Sequence, residues 1–544
     1  MRKYILFFTI YSALFALAAC GGSKPEVSFT DAVSSANAKA VNYYLKNGES
    51  PSQKDEQGSP LVNIAAAQDN TDILKILIKA GANLKDTDKE GLTPLLKAAK
   101  EGKTQAVKDL LKAGADIQFA TKKDGLSALI LAIREGNKET VKELLRHGAP
   151  ADKADKKGIT PLMYAVQKDY GDLITDLLKA GAKAKAADKE GDTALMYAHS
   201  PEVISQLVQA GSDVNAANKE GQTALHKIAQ DGNLQALKTL LEAGAVKDAA
   251  DTKDGFNPLH SAAAGDKEEN IQELLKAEVD INARSLNKTT PLMEAARNNS
   301  LKAIKELLKA SADIEAVDDK GNTALIIAAA AGQTDAVKDL IRAYAKIDKT
   351  NKEGYTALMY AAENGHDDTV KALLDAGADM NILGGEKGWN ALMIAADKQH
   401  INIVKEIIKS GIDINKQSKE GWTVLMIAAE NGNTGIIEEI IKAGANVNAR
   451  GTDRWTALVF ASRYNKPDAV EVLVKHGAQV NAQTKSGWTP LMFASVYGHT
   501  DAVKALIKAG ANVNTSAEDY TALKLAKENN HTEVIELLKK AGAR

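Results

Sequence analysis

A motif that recurs with a period of about 33 residues limits what this chain can fold into more than any other feature of its sequence. The motif can be followed through the position directly after a Thr, Ser or Asn, where twelve of the fourteen spacings agree to within one position. A fixed period of this size indicates stacked supersecondary units rather than one globular core. The fifteen marked positions are Pro60, Pro94, Ala128, Pro161, Ala194, Ala224, Pro258, Pro291, Ala324, Ala357, Ala391, Val424, Ala457, Pro490 and Ala522.

The stretch from Gly421 to Arg450 shows what one unit contains. Thr423 is placed to cap a helix whose apolar residues recur at helical spacing, and Gly432 permits the left-handed residue that ends it. A second amphipathic helix follows and ends at Gly444. Because one such pair cannot cover its own apolar faces, the sequence predicts that the pairs stack.

The start of each unit is the clearest local signal. A residue that can cap a helix precedes every marked position, beginning with Ser59 before Pro60, and six marked positions are Pro. Proline is favoured at the first helical position because its missing N–H has no partner there. We therefore expect the first helix of each unit to begin at the marked residue.

These units resemble the ankyrin repeat, whose T-P-L-H-x-A signature is matched by Thr93-Pro94-Leu95, Thr290-Pro291-Leu292 and Thr489-Pro490-Leu491. The resemblance covers roughly residues 27 to 544. It implies an all-α repeat protein, an ankyrin-type α-solenoid of helix pairs with β-hairpin fingers. The signature His, which supports the loop by hydrogen bonding in that family, remains only as His226 and His260. Met, Ile or Val elsewhere should shift some stability from polar contacts to apolar packing.

The first residues are expected to lie outside the repeat fold. Residues 1–19 have a short positive region and an apolar run too short to span a membrane, and small residues precede Cys20, the only Cys of the chain. This resembles the lipobox of bacterial lipoproteins, in which the Cys is acylated and anchors the protein. Residues 20–26 would then be a tether. The alternative is an ordinary signal peptide with an incidental Cys.

Irregularities along the chain suggest how the repeats are divided. We interpret residues 27–56 as an N-terminal capping helix pair, 57–254 as regular repeats, and 351–544 as repeats that end in a polar cap. Residues 255–350 should be softer, because Glu278, Ser311 and Tyr344 replace the Gly that ends the second helix. One unit, which begins at Gly191, is shorter than the others.

Nothing in the sequence indicates chemistry. The nine His residues form no metal-ligand pattern, and the glycine-rich run at 384–388 lacks the Lys-Ser/Thr ending of a phosphate loop. With a net charge of −2 and no dense basic face, nucleic-acid binding is not expected. His366 and His499, which follow a turn Gly, are interpreted as structural. We expect a monomer that is not an enzyme and has no cofactor or metal.

One set of residues is not explained by the repeat fold alone. All four Trp residues occupy the same slot before the N-cap, each one repeat period from the next, with a Tyr in that slot on either side. Among the earlier units only Phe256 is aromatic there. In the ankyrin family this slot lies at the finger, on the concave side, where partners bind. Rings that only pack would be needed in every unit, so we favour binding over packing. The slot residues are Tyr355, Trp389, Trp422, Trp455, Trp488 and Tyr520.

The sequence therefore predicts a lipid-anchored scaffold that binds a protein partner in a bacterial cell envelope. An outer-membrane location is favoured because Gly21 stands where some bacteria use Asp for inner-membrane retention, and the protein would face the periplasm or the cell surface. Two alternatives stay open: glycan or cell-wall binding by the aromatic slot, and a spacer with no ligand. Tyr164, Tyr197, Tyr360, Phe460 and Phe493, inside the first helices, are assigned to core packing.

Overall fold

The computed structural model describes residues 24–544, which divide into two compact units. The first unit ends at Asp213 and the second runs Val214–Arg544. Both consist of antiparallel helix pairs joined by short turns, which confirms the predicted all-α repeat fold. None of the helices in residues 24–544 is long and apolar enough to cross a membrane.

The first unit contains eleven α-helices and one short 3-10 helix at Ala194–Tyr197, which belongs to the shortened repeat. Its α-helices are α1 (Phe29–Ser34), α2 (Ala38–Lys46), α3 (Leu61–Ala67), α4 (Thr71–Lys79), α5 (Pro94–Lys100), α6 (Thr104–Lys112), α7 (Ala128–Arg134), α8 (Lys138–Arg146), α9 (Pro161–Gln167), α10 (Gly171–Lys179) and α11 (Pro201–Gln209).

The second unit contains twenty α-helices and a 3-10 turn at Thr452–Arg454. Its α-helices are α12 (Ala224–Asp231), α13 (Leu234–Glu242), α14 (Pro258–Ala264), α15 (Glu268–Lys276), α16 (Pro291–Arg297), α17 (Leu301–Lys309), α18 (Ala324–Ala330), α19 (Thr334–Arg342), α20 (Ala357–Glu363), α21 (Asp367–Asp375), α22 (Ala391–Asp397), α23 (Ile401–Lys409), α24 (Val424–Asn431), α25 (Thr434–Lys442), α26 (Ala457–Arg463), α27 (Pro467–Lys475), α28 (Pro490–Val496), α29 (Thr500–Lys508), α30 (Ala522–Glu528) and α31 (Thr532–Lys540).

The core of each unit is a continuous stack of these pairs. The first helix of a pair packs on the first helix of the next, as in α24 and α26, and the second helices do the same, as in α25 and α27. Ile436, Ile437 and Ile440 on α25 are fully buried in this way. The buried faces are formed between neighbouring pairs, so stability grows with each interface added.

The predicted helix starts are confirmed in most repeats but wrong in the first. Thr423 accepts the backbone N–H of Met426 as expected, whereas α3 begins at Leu61 and Ser59 caps nothing. Leu61, not Pro60, lies one regular period before Pro94. Core register therefore decides where the helix begins, because a shift by one residue would turn the buried side away from the neighbouring helix.

The residues that replace the signature His keep one or the other of its two hydrogen bonds. In His226, Nδ1 accepts the backbone N–H of Thr223 at 3.1 Å and Nε2 donates to the carbonyl of Phe256, in the next repeat, at 2.9 Å. Where Met stands instead, as in Met426, its Sδ still lies 3.4 Å from the N-cap nitrogen but has no proton to donate. Asn63, in the first repeat, restores the second bond by donating to the carbonyl of Leu92.

The expected β-hairpin fingers are mostly tight turns. The only strands in residues 24–544 are β1 (Ser516–Ala517) and β2 (Tyr520–Thr521), which pair antiparallel. Backbone bonds between successive finger tips take the place of longer ladders: Gly385 N–H donates to the carbonyl of Glu353 at 2.8 Å. Such bonds satisfy polar backbone groups that a strand ladder would otherwise pair.

Three consecutive repeats carry a strained residue. Glu278, Ser311 and Tyr344 adopt φ values of 60°, 69° and 64°, in the left-handed region where the other repeats have Gly. The Tyr344 side chain is 91% exposed, so no packing explains its presence. A side chain in this region costs about 1 kcal/mol. That residues 255–350 are softer stays a prediction.

We expect Tyr344→Gly to raise the free energy of unfolding of the second unit by about 1 kcal/mol, because it removes the left-handed strain and no buried contact. Chemical denaturation monitored by circular dichroism measures this. The matched control is Gly377→Ala: Gly377 has φ 87° with no atom within 4 Å of a built Cβ, so the substitution should lower stability through the backbone alone. A neutral or destabilising Tyr344→Gly would contradict the argument.

We also expect the free energy of unfolding to decrease as the pH is lowered, because of the two buried histidines. Burial lowers the pKa of His260 to about 4 and lowers that of His226, so the folded state holds both rings neutral. Their contribution is complete above the unfolded pKa near 6.5 and is lost as pH falls towards about 4, a cost of about 3 kcal/mol for His260. His260→Met, the residue other repeats use, should flatten the pH dependence of urea denaturation; an unchanged slope would refute this.

Candidate functional site

The predicted binding residues share one backbone setting at the base of a finger. The backbone N–H of Ser418 donates to the carbonyl of Trp422 at 2.9 Å, and the Ser418 hydroxyl accepts the Trp422 N–H at 3.1 Å. Thr484 holds Trp488 in the same way. Gly421, at φ 77°, makes the sharp turn between them. The repeat thus places each indole at the junction of finger and first helix.

Four of the six predicted residues lie in one continuous row of ring contacts, together with two Phe residues. Each ring centroid lies within 6.4 Å of the next, at separations of 4.5, 5.2, 4.9, 5.1 and 6.4 Å along the row. The rings meet at angles between 47° and 62°, a tilted geometry that aromatic pairs favour. We call this set the aromatic row; in order it comprises Trp422, Phe460, Trp455, Phe493, Trp488 and Tyr520.

Two predicted residues stand apart from the aromatic row. Trp389 is only 8% exposed, and its Nε1 has no hydrogen-bond partner within residues 24–544. The Lys387 ammonium lies 4.2 Å from its ring centroid. Tyr355 contacts Tyr360 of its own repeat at 5.1 Å. Ile394 stands where Phe460 stands in its own repeat, so Trp389 has no ring there to contact.

Phe460 and Phe493 have the predicted role in core packing and a second role that the sequence did not predict. Both are buried, as core packing requires, at 2% and 7% exposure. Each also lies between the indole of its own repeat and that of the preceding one, as Phe460 does between Trp455 and Trp422. Spacing along one helix cannot reveal a contact between repeats, so sequence reasoning separated two sets that form one row.

A groove opens between the fingers of two adjacent repeats on the aromatic row. It encloses about 550 Å³, with Trp422, Trp455 and Phe460 as its apolar part and Arg463 and Tyr464 beside them. The Arg463 guanidinium lies over the Trp455 ring, 5.2 Å from its centroid, and 5.3 Å from that of Tyr497. We call this site the Arg463 groove.

Sequence reasoning missed Arg463, Tyr464 and Tyr497. Tyr464 and Tyr497 are 43% and 47% exposed and lie one repeat period apart, so the same repeat comparison that revealed the Trp residues would have revealed them. Burial, and then the nearby Glu430 carboxylate, raise the pKa of Tyr464; burial also raises the pKa of Glu430. The Tyr464 hydroxyl therefore stays protonated at neutral pH and donates its hydrogen bond to Glu430.

The remaining candidate residues have structural roles or lie outside the described chain. His366 and His499 contact backbone carbonyls of the preceding repeat, Ala330 and Arg463, at 3.1 and 2.8 Å, which supports their interpretation as structural. Between residues 24 and 544 no group of His, Cys, Asp and Glu is arranged to hold a metal ion. Cys20 and the signal segment lie outside the described residues.

Comparison with known proteins agrees with this architecture. No curated protein matches the chain in sequence. A family model described as ankyrin repeats (3 copies) matches residues 29–121, 98–188, 129–218, 193–285, 267–351, 328–418, 392–484 and 480–544. These overlapping matches follow the stacked helix pairs from the first helix to the end of the described chain. With its period, helix pairs and finger turns, the chain belongs to the ankyrin repeat family.

Proposed function

We propose that this chain is a membrane-anchored scaffold that binds a protein partner along the aromatic row. Ankyrin repeats are in general scaffolds for protein–protein interaction. The observation that carries the proposal is the partial exposure of rings that already contact one another: Trp422, Trp455 and Trp488 keep part of their surface open to solvent. Packing within the row fixes these rings before a partner arrives, so binding costs little side-chain entropy.

The distribution of rings also favours binding over simple stabilisation. The equivalent residues Leu92 and Leu126, in the first unit, are buried aliphatic side chains, which shows that a repeat stacks well without a ring there. Large aromatic residues are common at binding hot spots because they bury a large area with few rotatable bonds. Trp389, being buried, contributes to this surface less than the three later Trp residues.

Binding is tested by capture from a cell-envelope extract. We expect a protein retained by residues 24–544 to be lost by the variant with Trp422, Trp455 and Trp488 changed to Leu, which preserves apolar packing but removes the rings. The matched control changes Leu92, Leu126 and Ile159, the same slot in the first unit, to Ala. Circular dichroism and melting first establish that both variants fold.

The outcomes separate the alternatives. If the ring variant captures the same protein as the parent, the aromatic row is not the binding site and the proposal is wrong. If protease treatment of the extract leaves the captured material unchanged while glycosidase treatment removes it, the ligand is a glycan. If nothing is captured by either form, the spacer interpretation replaces ours.

The anchoring part of the proposal depends on Cys20, after which a polar Gly-Gly-Ser segment reads as a tether. We expect the full chain, expressed in a bacterium, to incorporate labelled palmitate and to sediment with membranes, and outer membranes separated on a density gradient to hold most of it. Cys20→Ser should abolish the label and the sedimentation, while Ser23→Ala should change neither. Palmitate incorporation that survives Cys20→Ser would refute the anchor.

A further inference from the structure

The Arg463 groove contains a cation that is held in position without an ion pair. Its guanidinium lies over Trp455 and near Tyr497, and within residues 24–544 it forms no ion pair with a carboxylate. Glu430 forms no ion pair with Arg463, but the Arg463 charge acts on its carboxylate, which also accepts a hydrogen bond from the Tyr464 hydroxyl. One edge N–H group of the guanidinium donates to the Tyr464 hydroxyl. Rings that cover its face leave the other edge N–H groups open, so Arg463 can still bind a planar anion with two hydrogen bonds.

A second arginine, at the same position of another repeat, does form an ion pair within its own helix. Arg297 is the seventh residue of α16, as Arg463 is of α26, and its Nε lies 3.3 Å from the Glu294 carboxylate. Glu294 is the fourth residue of α16, and the fourth residue of α26 is Phe460. In the repeat that contains Arg463, a ring of the aromatic row therefore stands where the repeat of Arg297 has its carboxylate partner.

The other charges around the groove limit what can bind. Glu420 and Asp453 line the groove from the finger turns of two adjacent repeats, where both are exposed. A run of negative charges, as on a nucleic acid or an anionic membrane, would meet these two carboxylates. A single carboxylate beside apolar groups would pair with Arg463, whose charge Glu430 offsets only in part because the two form no ion pair, and its apolar neighbours would meet the indoles.

We propose that the Arg463 groove binds a short segment of the protein partner in which an Asp or Glu stands next to a large apolar side chain. The inference rests on the proposed function and names the chemistry that the partner must present. The carboxylate pairs with the Arg463 guanidinium, and the apolar side chain lies against Trp422, Trp455 and Phe460. The rings exclude water from the ion pair, which strengthens a charge-assisted hydrogen bond.

The test uses two synthetic peptides that differ in one atom group. Both are short Gly/Ser peptides, one with a central Leu-Asp-Phe and the other with Leu-Asn-Phe, titrated into the full-length chain in mild detergent and followed by Trp fluorescence and calorimetry. We expect the Asp peptide to bind about tenfold more tightly. The preference should shrink as salt rises from about 50 to about 500 mM, because screening weakens a partly exposed ion pair.

Three variants locate the effect. Arg463→Gln should remove the preference for Asp over Asn, and Arg463→Lys should keep only part of it because an ammonium lacks the planar fork. The matched control is Arg134→Gln: Arg134 is exposed at the same place in a first-unit repeat and has no Trp beside it, so the preference should persist. Circular dichroism establishes that each variant is folded.

Several results would overturn this inference. Equal binding of the two peptides to the parent chain would show that no carboxylate is recognised, and no measurable binding of either would show that the groove does not accept such a segment. An unchanged preference in Arg463→Gln would place recognition elsewhere. In each case the capture experiment with the Trp422, Trp455 and Trp488 variant still decides independently whether the aromatic row binds a protein.

Discussion

Each helix pair of this chain has an apolar side that only the next pair can cover, and the rest of the structure depends on that constraint. It fixes the period, because a residue such as Ile440 must meet the same neighbour in every repeat. It also overrides local preferences: α3 begins at Leu61, where core register is kept, although Ser59 would be a better cap. Nearest-neighbour contact is thus the source of both stability and regularity.

The same constraint explains how a packing position becomes a surface for recognition. Finger turns stack through backbone hydrogen bonds such as that from Gly385 to Glu353, and the residue at each finger base is carried with them. Where that residue is Trp and the first helix supplies Phe, rings from successive repeats alternate in one row. The rings stabilise one another and remain partly exposed, so packing and binding are not exclusive uses of the same side chains.

Much of the fold and part of the site could be predicted from the sequence. Thr423, Gly432 and the apolar spacing of α24 and α25 are local signals, and they gave the helices correctly. The six slot residues were identified by the repeat alone, yet Trp389 is buried and Phe460 bridges two indoles. Neither fact can be read from the period: the bridging by Phe460 depends on Trp422 of the preceding repeat, and the burial of Trp389 depends on how the folded chain covers its ring.

The sequence by itself determined the class of structure, because the helix caps and turn glycines are local signals that recur in the repeats at a regular spacing. It also determined where strain must lie, since Glu278, Ser311 and Tyr344 stand where only Gly adopts a left-handed conformation without cost. Only the tertiary structure decided which rings touch, which indole is covered, and that the Arg463 guanidinium reaches Tyr497 of the next repeat. Contacts between repeats are set by the three-dimensional meeting of two side chains, and no single repeat contains both.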